Sequence, residues 1–368
     1  MKNTTILFVL HLPPPVHGAA MVGKYIQESE LINKRFNCRY INLATASNLE
    51  DIGRSGAKKI WRFLELLFRI RKALKRQKPA LVYVTPNAKG WAFYKDFIVV
   101  MMIKRLGGKV VAHYHNKGVS VNQCRLLDNY LYKSFFKGVR IILLSEKLYD
   151  DIQKYVPRED VFICPNGIPI SVEKKSLTNK QNRDAIHILF LSNLIVSKGI
   201  LTLLDALVIL KRNGFSFVCD VVGGETFEID KLRFDSEVVK RDLNRFVVYH
   251  GKKYGAEKNA FWELADIFCF PTYYPNECFP LVLLEAMQHR LPVVTTDEGA
   301  IPDIMCNNEN GFICEKHKPD DFANKLMRLI DDEELRLRMG RNGYQRYLNN
   351  YTISAFEERL SGILLSLV

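Results

Sequence analysis

Within residues 266–303, Glu277 and Glu285 are separated by seven residues and bracket the expected start of a helix. A short apolar strand over 267–270 ends at Pro271, and the loop beyond it presents Glu277-Cys278-Phe279-Pro280. The helix should open near Pro280-Leu281, because proline suits a first helical position and Leu283, Leu284, Ala286 and Met287 follow as an apolar run. Free backbone N–H groups and a partial positive charge make such a terminus a site for phosphate. Glu277 precedes it and Glu285 follows by more than one turn, so the carboxylates should flank one cavity without touching. An ionised carboxylate accepts hydrogen bonds and competes with no donor of its own, which suits sugar hydroxyls. Two other readings stay open on these residues alone. One is an acid/base pair for glycoside hydrolysis; the other is a helix-capping Glu277 beside a solvated Glu285.

Strand-like apolar runs alternate with helix-length segments along the chain, the pattern of parallel α/β domains. The first series is 6–10, 81–85, 109–113, 140–144 and 161–164; the second is 187–191, 217–222, 246–250, 267–270 and 292–295. Between them, 171–184 (SVEKKSLTNKQNRD) is polar, lacks an apolar period and has the character of a linker. The expected organisation is therefore two doubly wound, Rossmann-like domains, 1–170 and 185–350, joined by that linker. A helical segment over 351–368 either packs on the second domain or crosses back to the first. Two such domains place a cleft between the carboxyl ends of their strands, where ligands of these sheets bind.

Composition narrows the classes. An apolar fraction of 48% with 25% charged residues is that of a globular protein, and no run of 18 apolar residues is present to span a bilayer. The apolar run near the N-terminus is too short for a secretory signal, so the cytoplasm is the expected location. Eight cysteines are scattered without CxxC spacing, which predicts buried reduced thiols and neither a zinc site nor a disulfide framework. Residues 1–170 hold 28 Lys and Arg against 12 Asp and Glu, a net of +16; residues 171–368 hold 25 against 28, a net of −3. One basic half beside a slightly acidic half suits a domain facing an anionic surface. No aromatic-studded basic motif accompanies the charge, which argues against nucleic acid. Neither half shows G-x-G-x-x-G after its first strand, which disfavours a dehydrogenase.

The stretch NECFPLVLLEAM, followed by PVVTTDEGAIPDI and NGFIC, resembles the signature of the retaining GT-B glycosyltransferases of the bacterial group 1 family. Further matches fall in order along nearly the whole chain: Pro15-Val16-His17-Gly18, His115, Ser145, Pro165-Asn166-Gly167-Ile168, Lys198-Gly199 and Gly223-Gly224. The resemblance implies a GT-B fold and transfer of a sugar from a nucleoside-diphosphate sugar with retained anomeric configuration. It implies that Glu285 binds the ribose hydroxyls and Glu277 the transferred sugar, with the backbone of Cys278, Phe279, Pro280 and Leu281 lining sugar and phosphate. Lys198 would hold the diphosphate, and Gly18 would let the first domain's backbone approach it closely. His115 would stand near the reacting sugar on the acceptor side. His113 competes for that role, since both point one way by strand alternation. No Asp-x-Asp pair occurs, so the metal grip of the other major transferase architecture is missing and no cofactor is expected. One position departs from the pattern: where the family usually has an arginine five residues before the lysine, this chain has Asn193. Asparagine brings no charge, so another cation compensates, the enzyme is slow, the segment aligns differently, or Asn193 is a turn residue.

Residues 58–78 (KKIWRFLELLFRIRKALKRQK) contain nine basic residues and one acid, Glu65. Ile60, Phe63, Leu64, Leu67, Ile70 and Leu74 fall at helical spacing as one apolar stripe, with Lys58, Arg62, Arg69, Lys72 and Arg76 mostly opposite. Such a helix either lies on an anionic membrane surface or packs on the sheet with a charged outer face; the excess positive charge favours the membrane. A peripheral protein on the inner face of the cytoplasmic membrane is expected. The resemblance adds a lipid-linked or saccharide acceptor from surface glycan assembly. Rival functions are an epimerase or phosphorylase on the same scaffold, and a non-catalytic nucleotide-sugar-binding subunit, which Asn193 would suit.

Overall fold

The computed structural model describes residues 4–14, 18–44, 57–170 and 185–368. Pro15-Val16-His17, the expected linker and the side chain of Lys58 lie outside what is described. The chain forms two compact units, Met1–Gly167 with Ile353–Val368, and Ile168–Thr352. No described helix is long and apolar enough to cross a membrane.

In the first unit the strands are β1 (Thr5–Leu10), β2 (Asn37–Asn42), β3 (Leu81–Val84), β4 (Val110–His113), β5 (Val139–Leu143) and β6 (Val161–Ile163). Helices α1 (Gly18–Glu28), α2 (Glu30–Arg35), α3 (Ala57–Gln77), α4 (Gly90–Arg105), α5 (Val119–Asn122) and α6 (Leu126–Phe136) connect them. The sheet is parallel in the order β2-β1-β3-β4-β5-β6. Helices cover a parallel sheet on both faces, so its inner strands are continuous apolar runs: β3 and β4 are buried at every residue.

The second unit repeats the plan with β7 (Ile186–Leu191), β8 (Phe217–Val222), β9 (Val247–Tyr249), β10 (Ile267–Phe270), β11 (Val293–Thr296) and β12 (Gly311–Cys314), in the parallel order β12-β11-β10-β7-β8-β9. Its helices are α7 (Ile200–Arg212), α8 (Lys231–Lys240), α9 (Gly255–Leu264), α10 (Leu281–Gln288), α11 (Ile301–Ile304), α12 (Pro319–Asp331) and α13 (Glu333–Asn350). A last helix, α14 (Ile353–Leu367), belongs to the first unit, where Arg35 donates to the Ser361 hydroxyl at 2.7 Å.

Each sheet has six strands against the five that apolar runs predict. The additional ones, β2 and β12, are the outermost strands on one side of each sheet. In β2 (NCRYIN) only Ile41 is buried, so an edge strand offers too little apolar signal to be read locally. All eight cysteines are free thiols and five are buried.

The order of the second sheet reverses between β7 and β10, the kind of switch point where loops diverge and ligands of open α/β sheets bind. There the two loops are drawn together. Tyr273 N–H donates to the Ser197 carbonyl at 2.8 Å, and a Cβ on Gly199 would lie 2.0 Å from the Pro271 carbonyl oxygen. Gly199 also has φ of +87°, so both space and backbone conformation require glycine. Gly199→Ala should cost about 3 kcal/mol of stability, measured by urea denaturation; an unchanged midpoint would show that the loops can part freely.

Candidate functional site

The switch point of the second unit assembles most of the expected site. Lys198 ends a short 3-10 turn, Val196–Lys198, in the loop after β7. Glu277 sits in the loop after β10, buried, with Oε2 2.5 Å from the Lys198 ammonium. The ammonium also lies over the Tyr274 ring, 4.6 Å from its centre, and 5.3 Å from the centre of Phe270, so two aromatic faces add support to the cation. A buried carboxylate needs such a partner, because an unpaired charge there would cost several kcal/mol.

The expected helix is α10, and Pro280 is its N-cap, not its first helical residue. Proline fits there because the cap's own N–H is not part of the helical ladder. Cys278 and Phe279 point their side chains into the unit: both are buried, and Phe279 packs edge-on against Tyr351 with ring centres 5.9 Å apart. Only their backbone is left for a ligand, and the Cys278 carbonyl accepts from Ala300 N–H at 2.8 Å. Leu281 is half-buried at the first helical position. Glu285, on the next turn, is paired with Lys258 of α9, whose ammonium is 2.7 Å from Oε1 and 2.6 Å from Oε2. Each glutamate thus carries its own lysine, and neither pairs with the other.

Asn193 has a structural task. Its side-chain oxygen accepts from the Gly224 N–H at 3.1 Å and braces the loop after β8 against the loop after β7. The Leu194 N–H returns to the Gly224 carbonyl at 2.8 Å, and the Thr226 hydroxyl donates to the Leu194 carbonyl at 2.6 Å.

In the first unit, Gly18 opens α1, and a Cβ there would meet no other heavy atom within 4 Å. His113, the last residue of β4, is fully buried and 2.5 Å from the Tyr83 hydroxyl. Burial, with His115 beside it, holds the His113 imidazole well below the usual histidine range, so the ring is neutral. His115 is half-buried, with its ring centre 4.3 Å from that of His113. Both ring nitrogens of His115 are buried, with the His113 ring, itself against Tyr83, on one side. Ser145 caps the 3-10 turn Glu146–Asp151 by accepting from Lys147 N–H at 3.1 Å.

Helix α3 corrects the expected single stripe. Leu66, Ile70 and Leu74 are buried and Phe63 and Leu67 half-buried, but Ile60 and Leu64 are 65% and 53% exposed. With Trp61 at 71% and Phe68 at 66% they form a second apolar stripe facing solvent. The same i, i+3, i+4 spacing fits either arc, and only packing on the sheet decides which is covered.

Sequence reasoning missed Lys258 and Tyr274. Neither carries a local signal: Lys258 reaches Glu285 across 27 residues, and Tyr274 acts through its ring face on Lys198.

Comparison with known proteins agrees with this architecture. The family model "Glycosyl transferases group 1" matches residues 171–346, and "Glycosyltransferase Family 4" matches 41–172. The chain is 29% identical over 244 residues to the capsular polysaccharide biosynthesis glycosyltransferase CapM of Staphylococcus aureus, covering 62% of each chain. It is 27% identical over 243 residues to the amylovoran biosynthesis glycosyltransferase AmsK of Erwinia amylovora, covering 63% of this chain and 57% of the relative. The matched region therefore spans less than two thirds of either relative. Among solved structures, Anabaena Alr3699/HepE in complex with UDP superposes with a TM-score of 0.77 at 16% identity, covering 99% of this chain and 100% of that one. That likeness establishes the GT-B fold.

The ion pair at the switch point should be energetically coupled. Lys198→Met and Glu277→Gln should each destabilise the protein by about 3 kcal/mol, and the double variant by less than their sum. Denaturation of the four proteins checks this, and strict additivity would mean that the two groups do not act as a pair.

Proposed function

We propose that the chain is a retaining, metal-independent group 1 glycosyltransferase that uses a nucleoside-diphosphate sugar, a reading supported by the two family matches over 171–346 and 41–172 and by the GT-B fold. The observation that carries this reading is the meeting of Lys198 and Glu277 at the switch point, directly before the N-terminus of α10. In this scheme the diphosphate lies against Lys198 and the α10 terminus, which meet developing negative charge. Glu277 accepts hydroxyls of the sugar and Glu285 those of the ribose. The anomeric carbon–oxygen bond breaks with its electron pair going to the diphosphate. The acceptor oxygen attacks the same face, and its proton passes to the departing phosphate oxygen. His115 orients sugar and acceptor on the first unit. Charge neutralisation by lysine and backbone N–H groups takes the place of a metal.

For the acceptor, we read a lipid-linked or saccharide intermediate of surface glycan assembly, as the names of CapM and AmsK suggest for those proteins. The first unit supports a membrane-facing role at the cytoplasmic leaflet. In a parallel sheet each crossover helix starts beyond the carboxyl end of the preceding strand. Ile60, Trp61 and Leu64 on α3, Trp91 on α4, and Leu126 and Leu127 on α6 are all exposed near the starts of such helices. Farther along α3, Arg69, Arg71, Lys72, Lys75 and Arg76 are exposed, and each can add about 1 kcal/mol at an anionic surface.

The donor site is tested by thermal stabilisation with nucleoside-diphosphate sugars in the presence of chelator. A saturating ligand at one hundred times its dissociation constant should add about 2.7 kcal/mol, and Glu285→Ala should abolish the shift. The product should keep the donor's anomeric configuration by NMR, and Glu277→Ala should lose turnover; an inverted product would overturn the mechanism. A shift without turnover for any acceptor would favour a binding subunit. Flotation with vesicles should show binding to anionic but not zwitterionic lipid, weakened about tenfold by Trp61→Ser with Phe68→Ser. Equal binding of wild type and variant would remove α3 from the membrane contact.

A further inference from the structure

The loops after β7, β8 and β9 lie side by side on the carboxyl rim of the second sheet, and several of their charges and donors are already paired. Lys198 is matched by Glu277, and Lys258 by Glu285. The two amides of the Gly223-Gly224 loop are also committed: Gly223 N–H donates to the Gly251 carbonyl at 2.9 Å, and Gly224 N–H to Asn193 Oδ1 at 3.1 Å. This glycine pair therefore cannot present its N–H groups to a phosphate, and Asn193 brings no charge. A dianionic diphosphate facing a neutral lysine–glutamate pair would have only the partial charge of the α10 terminus against it, and no full unmatched cation from these residues.

One cation on the rim is not matched. Lys252, in the loop after β9, is exposed and forms no ion pair among the described residues. Its stem crosses Gly224: a Cβ built on that glycine would lie 2.2 Å from Lys252 Cε, 3.2 Å from its Cγ and 3.0 Å from Asn193 Oδ1. The absence of a side chain at Gly224 is what lets the lysine stem lie against this loop, next to Asn193. Lysine stems pack on such surfaces while the ammonium stays free to meet an anion.

We propose that Lys252 is the second cation of the donor site and neutralises the diphosphate of a nucleoside diphosphate beside Asn193. The inference rests on the donor-site reading above. It assigns the missing charge to a neighbouring loop, reaching over Gly224 from the end of β9. Asn193 then holds the loop that Lys252 crosses, and Lys198 remains shared between Glu277 and the ligand.

The test is calorimetric titration of UDP, ADP and GDP, each beside its monophosphate, into wild type, Lys252→Gln and Lys252→Arg. Wild type should prefer one diphosphate over its monophosphate. Lys252→Gln should lose about tenfold in affinity for that diphosphate, as expected for one charge-assisted contact, with the monophosphate unchanged. Lys252→Arg should retain the preference. Wild-type diphosphate preference in the glutamine variant would overturn the role of Lys252 and leave the donor site standing. A folded wild type that binds no nucleoside diphosphate would overturn both. An equal loss for the monophosphate would also overturn it, since the charge would then not act on the diphosphate.

Discussion

Glu277 and Lys198 are 79 residues apart in the chain and come within 2.5 Å only because β7 and β10 are neighbours in the second sheet. A buried carboxylate is unstable without its counter-charge, and the lysine is held by the aromatic faces of Tyr274 and Phe270. Two further contacts hold those two loops together. Gly199 has no side chain because the Pro271 carbonyl occupies its space, and Tyr273 N–H bonds to Ser197 across the same gap. With the loops so closed, the start of α10 is held directly behind Glu277.

The second glutamate obeys the same rule by different means. Glu285 lies on a helix turn, half-buried, and takes its cation from α9, not from a loop at the switch point. Paired lysines keep both carboxylates compatible with a partly buried place. The Asn193 side chain, which brings no charge, is spent on the Gly224 N–H and ties two loops together. Charge and loop bracing are thus divided between neighbouring residues on this rim.

The first unit handles its excess charge differently. Its basic residues crowd onto α3, a helix with two apolar arcs and only one sheet to cover. Leu66, Ile70 and Leu74 are buried within the unit, where α3 meets α4 and β2, which leaves Ile60, Trp61, Leu64 and Phe68 in solvent. Exposed large apolar groups beside arginine and lysine are the feature on which the proposed membrane-facing role rests.

The amino-acid sequence by itself determined the two α/β series, their inner strands, the polar break near 171–184 and the glutamate pair around the start of α10, because each is written in local periodicity or spacing. Edge strand β2 escaped that reading, since only one of its six residues is buried and an edge needs little apolar signal. Which side chains meet was decided only by tertiary structure. Lys198 with Glu277, Lys258 with Glu285, Asn193 with Gly224 and His113 with Tyr83 are contacts across 79, 27, 31 and 30 residues. They depend on strand order and helix placement, which no local pattern encodes. Packing likewise chose between the two apolar arcs of α3, because helical spacing marks both arcs alike and only contact with the sheet distinguishes them.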